Sequence, residues 1–350
     1  LPPANSSREP YGEVVEKHRE GWIYSGQAAD RLWAKSAIGR PLGESGLLLT
    51  GAEVIFCHEH RHLDLPSGWI GKAVDEHLGL FDEAAVLEAL RVPGNKIVIN
   101  HNLKQLDVEH ASSSWSARWP SDSHPRDDPP VAELRWFHAS CELDVDDLYS
   151  WATEVNSLGR ICEIMVVDDE GSVVSYRVGS QAPSGQLGEL SSDILDSISR
   201  REFRPLSNGG AIILEDGEWP DERIGIPHPN GRMIDSTTSE MLYADDEGGE
   251  TMGSSILRDL LMRGLHPRPG FKYGTRWRCY DKPLGQEHAP WLVVHPAEAP
   301  SDWEGACLAS RLASGVGKTW LHPLIVGDSW EYLSISRPPP DSRWSNPNRR

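Results

Sequence analysis

What most narrows the folds open to this chain is that it nearly repeats itself. Cut at the Pro/Ser/Gly-rich stretch GSQAPSGQLGELSS (residues 179–192), the 350 residues divide into comparable halves that read in the same order. AIGRP then TGAEVIF (37–41, 50–56) resemble RIGIP then TTSEMLY (223–227, 237–243). AELRWFH (132–138) lies opposite APWLVVH (289–295), and SLGRICEIMVVDDEGSVVSYRV (157–178) opposite GVGKTWLHPLIVGDSWEYLSIS (315–336). Self-similarity of this kind means one structural plan used twice.

Each half predicts a small strand-rich unit ending in a short helix. A further helix follows (around 84–90 and 255–263), then a strand pair, a second helix and two closing strands with alternating β-branched and aromatic residues. The second helix of the later half is expected from about Asp302 to Ser314, with Ala306, Leu308, Ala309 and Leu312 as its apolar contacts. The fold class is therefore α+β: two tandem repeats, each a small N-terminal α/β subdomain plus a domain whose mixed β-sheet is flanked by helices. The expected boundaries are 12–75 and 76–180 for the first repeat, 181–204 for a linker, 205–251 and 252–337 for the second repeat, and 338–350 for a tail. HASSSWSARWPSDSHPRDDPP (110–130) reads as a mobile insertion or long loop confined to the first repeat.

Charge separates the halves further. The chain carries −19 overall, yet residues 252–350 hold 13 Lys and Arg against 9 Asp and Glu, a local +4 that leaves −23 on the rest. An acidic body argues against nucleic acid, because phosphate binding rests on neutralisation by Lys and Arg, but the sign reverses in one domain and keeps a polyanion possible there. Mean hydropathy of −0.46 suits a soluble protein. No apolar run approaches a membrane span, and LPPANSSREPYGEVV (1–15) has no apolar signal core. Five scattered cysteines read as reduced thiols, which predicts a cytoplasmic location.

Two motifs invite chemistry and fail. CHEHRH (57–62) suggests zinc but lacks a Cys-x-x-Cys partner, and histidines near a helix end are commoner as partners of its dipole. SGVGKTW (314–320) resembles the end of a phosphate-binding loop. The glycine needed five residues before Gly317 is Leu312, and a helix leads into a strand here, the reverse of the required order. Neither a metal nor a nucleotide cofactor is expected.

The residues that remain are Tyr280, His288 and Lys318. Tyr280 ends one predicted strand, His288 lies in the turn before the next, and Lys318 begins a third, so one sheet can bring them to a single point. Cleaving RNA without metal needs a base for the 2′-hydroxyl proton, an acid for the departing 5′-oxygen and a cation for the charge on phosphorus. These side-chain types can fill the three roles. Tyrosine starts from a reference value of about 10, and a neighbouring ammonium favours its phenolate. Taken singly, each is more simply a strand-edge aromatic, a turn residue and a surface charge.

In combination they resemble the archaeal tRNA-splicing endonuclease (tRNA-intron endonuclease) family. GFKYGTRWRCY (270–280) matches that family's G-x-K-[FY]-G-x-x-[FW]-x-x-Y run, EHAPWLVV (287–294) its histidine just before a strand, and RLASGVGK its helix arginine seven residues before a lysine. The resemblance is strongest over about 252–337. It implies that Tyr280 is the general base, His288 the general acid and Lys318 the transition-state stabiliser. It implies also that Arg311 packs against an extruded substrate base, with a second clamp residue among Trp330, Arg337 and Trp344. The substrate implied is precursor tRNA, cut at bulge-helix-bulge intron boundaries to leave 2′,3′-cyclic phosphate and 5′-hydroxyl ends.

The first repeat should lack the chemistry. Val131 falls opposite His288, Arg160 opposite Lys318, and Trp119 near Tyr280. In the family an acidic loop of the inactive unit docks beside the active unit of another subunit, which implies a homodimer and points to Asp168, Asp169 and Glu170. The rival readings are a non-catalytic RNA-binding subunit of the same fold and a metal-dependent nuclease. The second needs clustered carboxylates near Tyr280 or Lys318, which the sequence does not offer.

Overall fold

A computed structural model describes residues 15–26, 28–43, 46–214, 217–243 and 250–346. The amino-terminal stretch through residue 14 and residues 347–350 of the expected tail lie outside it. The structure is mixed α+β. Its contacts divide into two compact units, the first drawn from Leu1–Glu142, Ser150–Arg177 and Pro338–Arg350, the second from Leu143–Tyr149 and Val178–Arg337.

Unit 1 opens with β1 (Val15–His18), β2 (Gly21–Tyr24), α1 (Ala29–Ser36), β3 (Arg40–Leu42), β4 (Gly46–Leu49) and α2 (Gly51–Arg61). The strands form a sheet in the order β1-β2-β4-β3. Thr50 starts α2 through a reciprocal cap: its hydroxyl accepts from Glu53 N, and the Glu53 carboxylate accepts from Thr50 N. The helix continues to Arg61, so the His-rich motif is its last turns and does not follow it. Then come α3 (Trp69–Glu76), α4 (Leu80–Arg91), β5 (Lys96–Ile99), α5 (Asn100–Leu103), β6 (Ser116–Trp119), β7 (Ala132–His138), α6 (Val145–Ser157), β8 (Ile161–Val167) and β9 (Val173–Gln181), with residues 145–149 of α6 and 178–181 of β9 counted in unit 2. These strands are ordered β5-β6-β7-β8-β9.

Unit 2 contains α7 (Ser192–Ser199), β10 (Phe203–Pro205), β11 (Ala211–Leu214), β12 (Ile226–His228), β13 (Gly231–Ile234), α8 (Ser236–Tyr243) and α9 (Met252–Met262). It continues with β14 (His266–Pro269), β15 (Trp277–Tyr280), β16 (Trp291–Val293), α10 (Trp303–Gly315), β17 (Thr319–Val326) and β18 (Ser329–Ser336). The small sheet runs β10-β11-β13-β12 and the larger β14-β15-β16-β17-β18, the same orders as in unit 1. In the larger sheets the first two pairings are antiparallel and the third parallel in both units. A parallel pair needs a crossover, and α6 and α10, thirteen residues each, supply it. The stretch expected as a linker, 181–204, contains α7, capped by Ser191 and anchored by buried Leu195 and Ile198.

Two expectations are corrected. Segment 110–130 is not a loose insertion: it supplies β6, with Trp119 fully buried and its indole donating to Asp128 O (2.8 Å). Ala111 N donates to Glu133 (3.0 Å), His124 bonds Trp33 O (3.1 Å), and the Asp128 carboxylate accepts from Ser123 Oγ and His124 N. Its polar residues are spent on holding the chain down. The second correction concerns α10. Its buried stripe is Trp303, Ala306, Ser310 and Ala313, whose small members let the helix lie close on β17 and β18, while Leu308 and Leu312 point outward, 56% and 57% exposed.

Candidate functional site

Strand pairing decides where the three chemistry-bearing residues emerge. Cys279 on β15 faces Trp291 on β16, and Trp291 faces Thr319 on β17 in parallel register. Tyr280 therefore leaves the last position of β15 at the same sheet end where residues 288–290 enter β16 and Lys318 enters β17. Thr319 N donates to Pro290 O (2.9 Å), fixing that register one residue beyond the strand.

Lys318 is placed by the end of α10. Its amide donates to Ala313 O (3.0 Å), and Gly317, at φ +66°, makes the left-handed turn that a β-carbon would disfavour. The ammonium donates to the carbonyl of Ala289, the residue after His288, and lies 5.5 Å from the centroid of the Tyr273 ring. Tyr273 sits in a single 3-10 turn (Phe271–Tyr273) closed by Gly274 at φ +66°. His288 is exposed in the 281–290 loop, where Lys282 and Glu287 form an ion pair that raises the Lys282 ammonium above its ordinary value.

Behind Tyr280 stands its cross-strand partner His266, with ring centroids 6.5 Å apart. Its side chain is buried and Nε2 has no hydrogen-bond partner. Burial, helped by the nearby Arg268 cation, pushes the imidazole down to about 4, so it is neutral near pH 7. His266, Arg268, Glu222, Pro227 and Leu284 are among the residues lining a cavity of about 540 Å³. Burial lowers Arg268 as well, and the cations of Arg232 and Arg278 add to that. Asp221 and Glu222 line the cavity too, paired with Arg223 and Arg232.

The basic stretch 270–282 is only partly uncommitted. Arg276 is held by Thr237 and Glu298, and Arg278 lies 5.7 Å from the Tyr280 ring. Lys272 and Arg311 are exposed, as is Phe271 at 91%. Phe271 is a residue the sequence reading passed over; its only signal was its place inside the basic, aromatic run. Of the three further clamp candidates, Trp330 donates its indole to Ser255 Oγ (3.0 Å) and packs on the unit 2 core. Trp344 belongs to unit 1, where it packs over Arg118 (5.0 Å) with its amide on Ser175 Oγ. Arg337 is exposed just after β18.

At the positions in unit 1 that match by register, the chemistry is absent. Arg118 faces Ala132 and Ala132 faces Ile161, so Trp119, Val131 and Arg160 correspond to Tyr280, Pro290 and Lys318. Pro129, not Val131 as the sequence suggested, then falls opposite His288, because Ile161 N donates to Val131 O as Thr319 N does to Pro290 O. Neither residue can donate a proton from its side chain. In the acidic turn after β8, Asp168 accepts from Glu170 N and Ser172 N, while Asp169 reaches His138 at 3.3 Å and is 96% exposed.

The CHEHRH motif has partners of its own. Cys57 is buried, which pushes its thiol up to about 12, His58 bonds Leu63 O (2.7 Å), and His60 bonds Glu88 (3.0 Å). Glu59, His60 and Glu88 do bring ligand atoms within 4.8 Å of one another.

The family description "tRNA intron endonuclease, catalytic C-terminal domain" matches residues 254–330, the stretch that carries Tyr280, His288 and Lys318. Over most of its length the chain is similar to tRNA-splicing endonucleases. It is 22% identical to the tRNA-splicing endonuclease of Methanococcoides burtonii, with 89% of this chain and 95% of that protein covered. For the Natronomonas pharaonis relative the identity is 26%, covering 88% and 94%. The match to the Thermoplasma volcanium relative, 28% identical over 177 residues, spans about half of each chain, 49% and 53%. Among the described residues no helix is long and apolar enough to cross a membrane.

Proposed function

We propose that this protein cleaves precursor tRNA at bulge-helix-bulge intron boundaries by metal-independent transesterification, and that unit 2 performs the reaction. The observation that carries the reading is that Tyr280, His288 and Lys318 leave one end of three adjacent strands, with the Lys318 ammonium bonded to the residue after His288. Tyr280 takes the proton of the 2′-hydroxyl, and the 2′-oxygen attacks phosphorus. The bond to the 5′-oxygen breaks as His288 delivers a proton to it, leaving a 2′,3′-cyclic phosphate and a 5′-hydroxyl. Lys318 faces the charge that builds on the phosphoryl oxygens. Arg311 stacks on a bulge base through the flat face of its guanidinium, with Arg337 as the remaining exposed candidate for a second clamp.

The same strand order in both units supports a tandem repeat in which unit 1 keeps the fold and has lost the chemistry. Its acidic turn, Asp168 to Glu170, docks on a second copy, in the cavity lined by His266 and Arg268, where a carboxylate meets the Arg268 cation. The working particle is then a cytoplasmic homodimer with two active sites.

Single-turnover cleavage of a bulge-helix-bulge RNA in excess chelator tests the reaction. Wild type should cut and leave cyclic phosphate, and His288→Ala should be slower by about a hundred- to ten-thousand-fold with RNA binding nearly unchanged. A mutant that cleaves at the normal rate removes His288 from the mechanism, and cleavage abolished by chelator favours a metal-dependent nuclease.

A further inference from the structure

We infer that the outward face of α10 is a landing surface for unpaired RNA bases, built by Leu308 and Leu312 on either side of Arg311 and continued by Val316. This rests on the RNA-cleaving reading above. Leu308, Leu312 and Val316 are spaced four residues apart, so they form one stripe on the helix, and they are 56%, 57% and 49% exposed. A stripe of large aliphatic side chains in water is unusual unless something covers it.

The molecule contains its own control. Helix α6 has the same length as α10, joins the corresponding parallel strands, and stands at the same distance before Arg160 as α10 does before Lys318. Its outward positions are Ser150, Thr153 and Glu154, where α10 carries Leu308, Arg311 and Leu312, and all of these are exposed. Only the last position stays apolar in both, as Leu158 and Val316. The two helices thus obey the same packing constraint on their buried side and differ on their exposed side. Selection for folding does not supply the two leucines.

Charge and continuity name the occupant. The stripe runs from Glu304, which complements the dipole at the start of the helix, toward Arg311 and then Lys318. Its apolar part therefore runs from an anion toward two cations, with Arg311 between the leucines and Lys318 three residues beyond the helix. A ligand that is anionic along its backbone and flat and apolar between its charges fits that sequence of contacts, and single-stranded RNA with splayed bases is such a ligand. The leucines would cover the faces and edges of bases that Arg311 alone cannot shield from water.

The test uses the full-length protein and a bulge-helix-bulge RNA whose cleavage-site 2′-hydroxyls are replaced by hydrogen, so that binding is read without reaction. Leu308→Ser/Leu312→Gln should weaken binding of this RNA by roughly tenfold or more. With the bulge bases removed as abasic sites, wild type and variant should bind alike, and a fully paired duplex should not distinguish them. Both residues are exposed, so folding is not at stake, and sedimentation should give the same oligomer for each protein. Equal affinity of the two proteins for the bulged RNA overturns the proposal. So does a loss that persists with abasic bulges, or a change of oligomer with RNA affinity intact, which would make the ridge a contact between copies. If wild type fails to cut the unmodified bulged RNA, the underlying reading fails instead.

Discussion

The cations that precede β8 and β17 occupy the same place in two five-strand runs of the same order and have opposite fates. In unit 1, Arg160 donates to the fully buried Glu133 (2.6 Å) and to Glu109 O (2.5 Å), while Glu133 also accepts from Ser114 Oγ and Ala111 N. Next to Trp119, Arg118 binds Glu163 bidentately at 2.7 and 2.8 Å inside the same unit's core. In unit 2, Lys318 meets a neutral carbonyl and an aromatic ring, and Cys279 stands where unit 1 has Arg118. One unit uses its charges to close itself; the other leaves a charge at the sheet end. Two units can share a strand order while the cation at one position is tied into a buried network in one and left at the sheet end in the other.

The comparison can be broken most severely at Glu133. Replacing it with Gln leaves Arg160 buried without its carboxylate, and losing one member of such a pair costs on the order of 3–5 kcal/mol. Denaturant unfolding of Glu133→Gln should show that loss, and an unchanged midpoint would mean the network does not hold unit 1 together. His266 sharpens the contrast from the other side. Its unit 1 counterpart by register is Lys96, which spends its charge on Ser121 O, whereas His266 is kept neutral. A histidine whose value falls from 6.5 to about 4 on folding favours the folded state above pH 6.5. That contribution is lost as pH falls from 6.5 toward 4 and amounts to roughly 3 kcal/mol. His266→Gln should flatten the decline over this window in thermal or denaturant unfolding; an identical pH profile would show that His266 is not responsible.

Smaller effects are expected at the surface. Asp169→Ser/Glu170→Ser spares Asp168, which builds the turn through its own backbone contacts, so the fold should persist. Sedimentation should shift toward monomer, with cleavage falling in parallel by about tenfold or more. A stable dimer would separate the acidic turn from assembly. The mildest change is Arg311→Ala, expected to slow cleavage of bulged RNA by roughly tenfold, with Arg311→Lys recovering little because an ammonium has no planar face. Equal rates for all three proteins would leave Arg311 an ordinary surface arginine.

Much of the site was legible because its parts are local and ordered along the chain. Tyr280, His288 and Lys318 each sit at the edge of a strand that alternation alone predicts, and strand order then carries them to one end. The Glu133 network was not legible: its partners lie 19 to 27 residues away in sequence, on segments that looked like loop. Leu308 and Leu312 misled for a related reason. Helical spacing offered two possible buried stripes, and the sheet chose the one with Ala306, Ser310 and Ala313, which a rule favouring large apolar residues does not anticipate. The two-residue error at Val131 came from aligning like letters where hydrogen-bond register was needed.

The return of the chain to unit 1 has a consequence in time. Asn346 bridges the acidic turn, accepting from Val173 N (3.0 Å) and donating to Gly171 O (2.6 Å), and Trp344 packs against the unit 1 core. Both residues follow all of unit 2 in the sequence. As the chain leaves the ribosome from its amino end, the unit that begins first must wait for the last-made segment before its closing contacts exist. Unit 2, whose principal segment is continuous from residue 178 to 337, is complete earlier. The order of synthesis and the order of completion therefore run in opposite directions, and the acidic turn is fastened only after the unit carrying the candidate active site has been made.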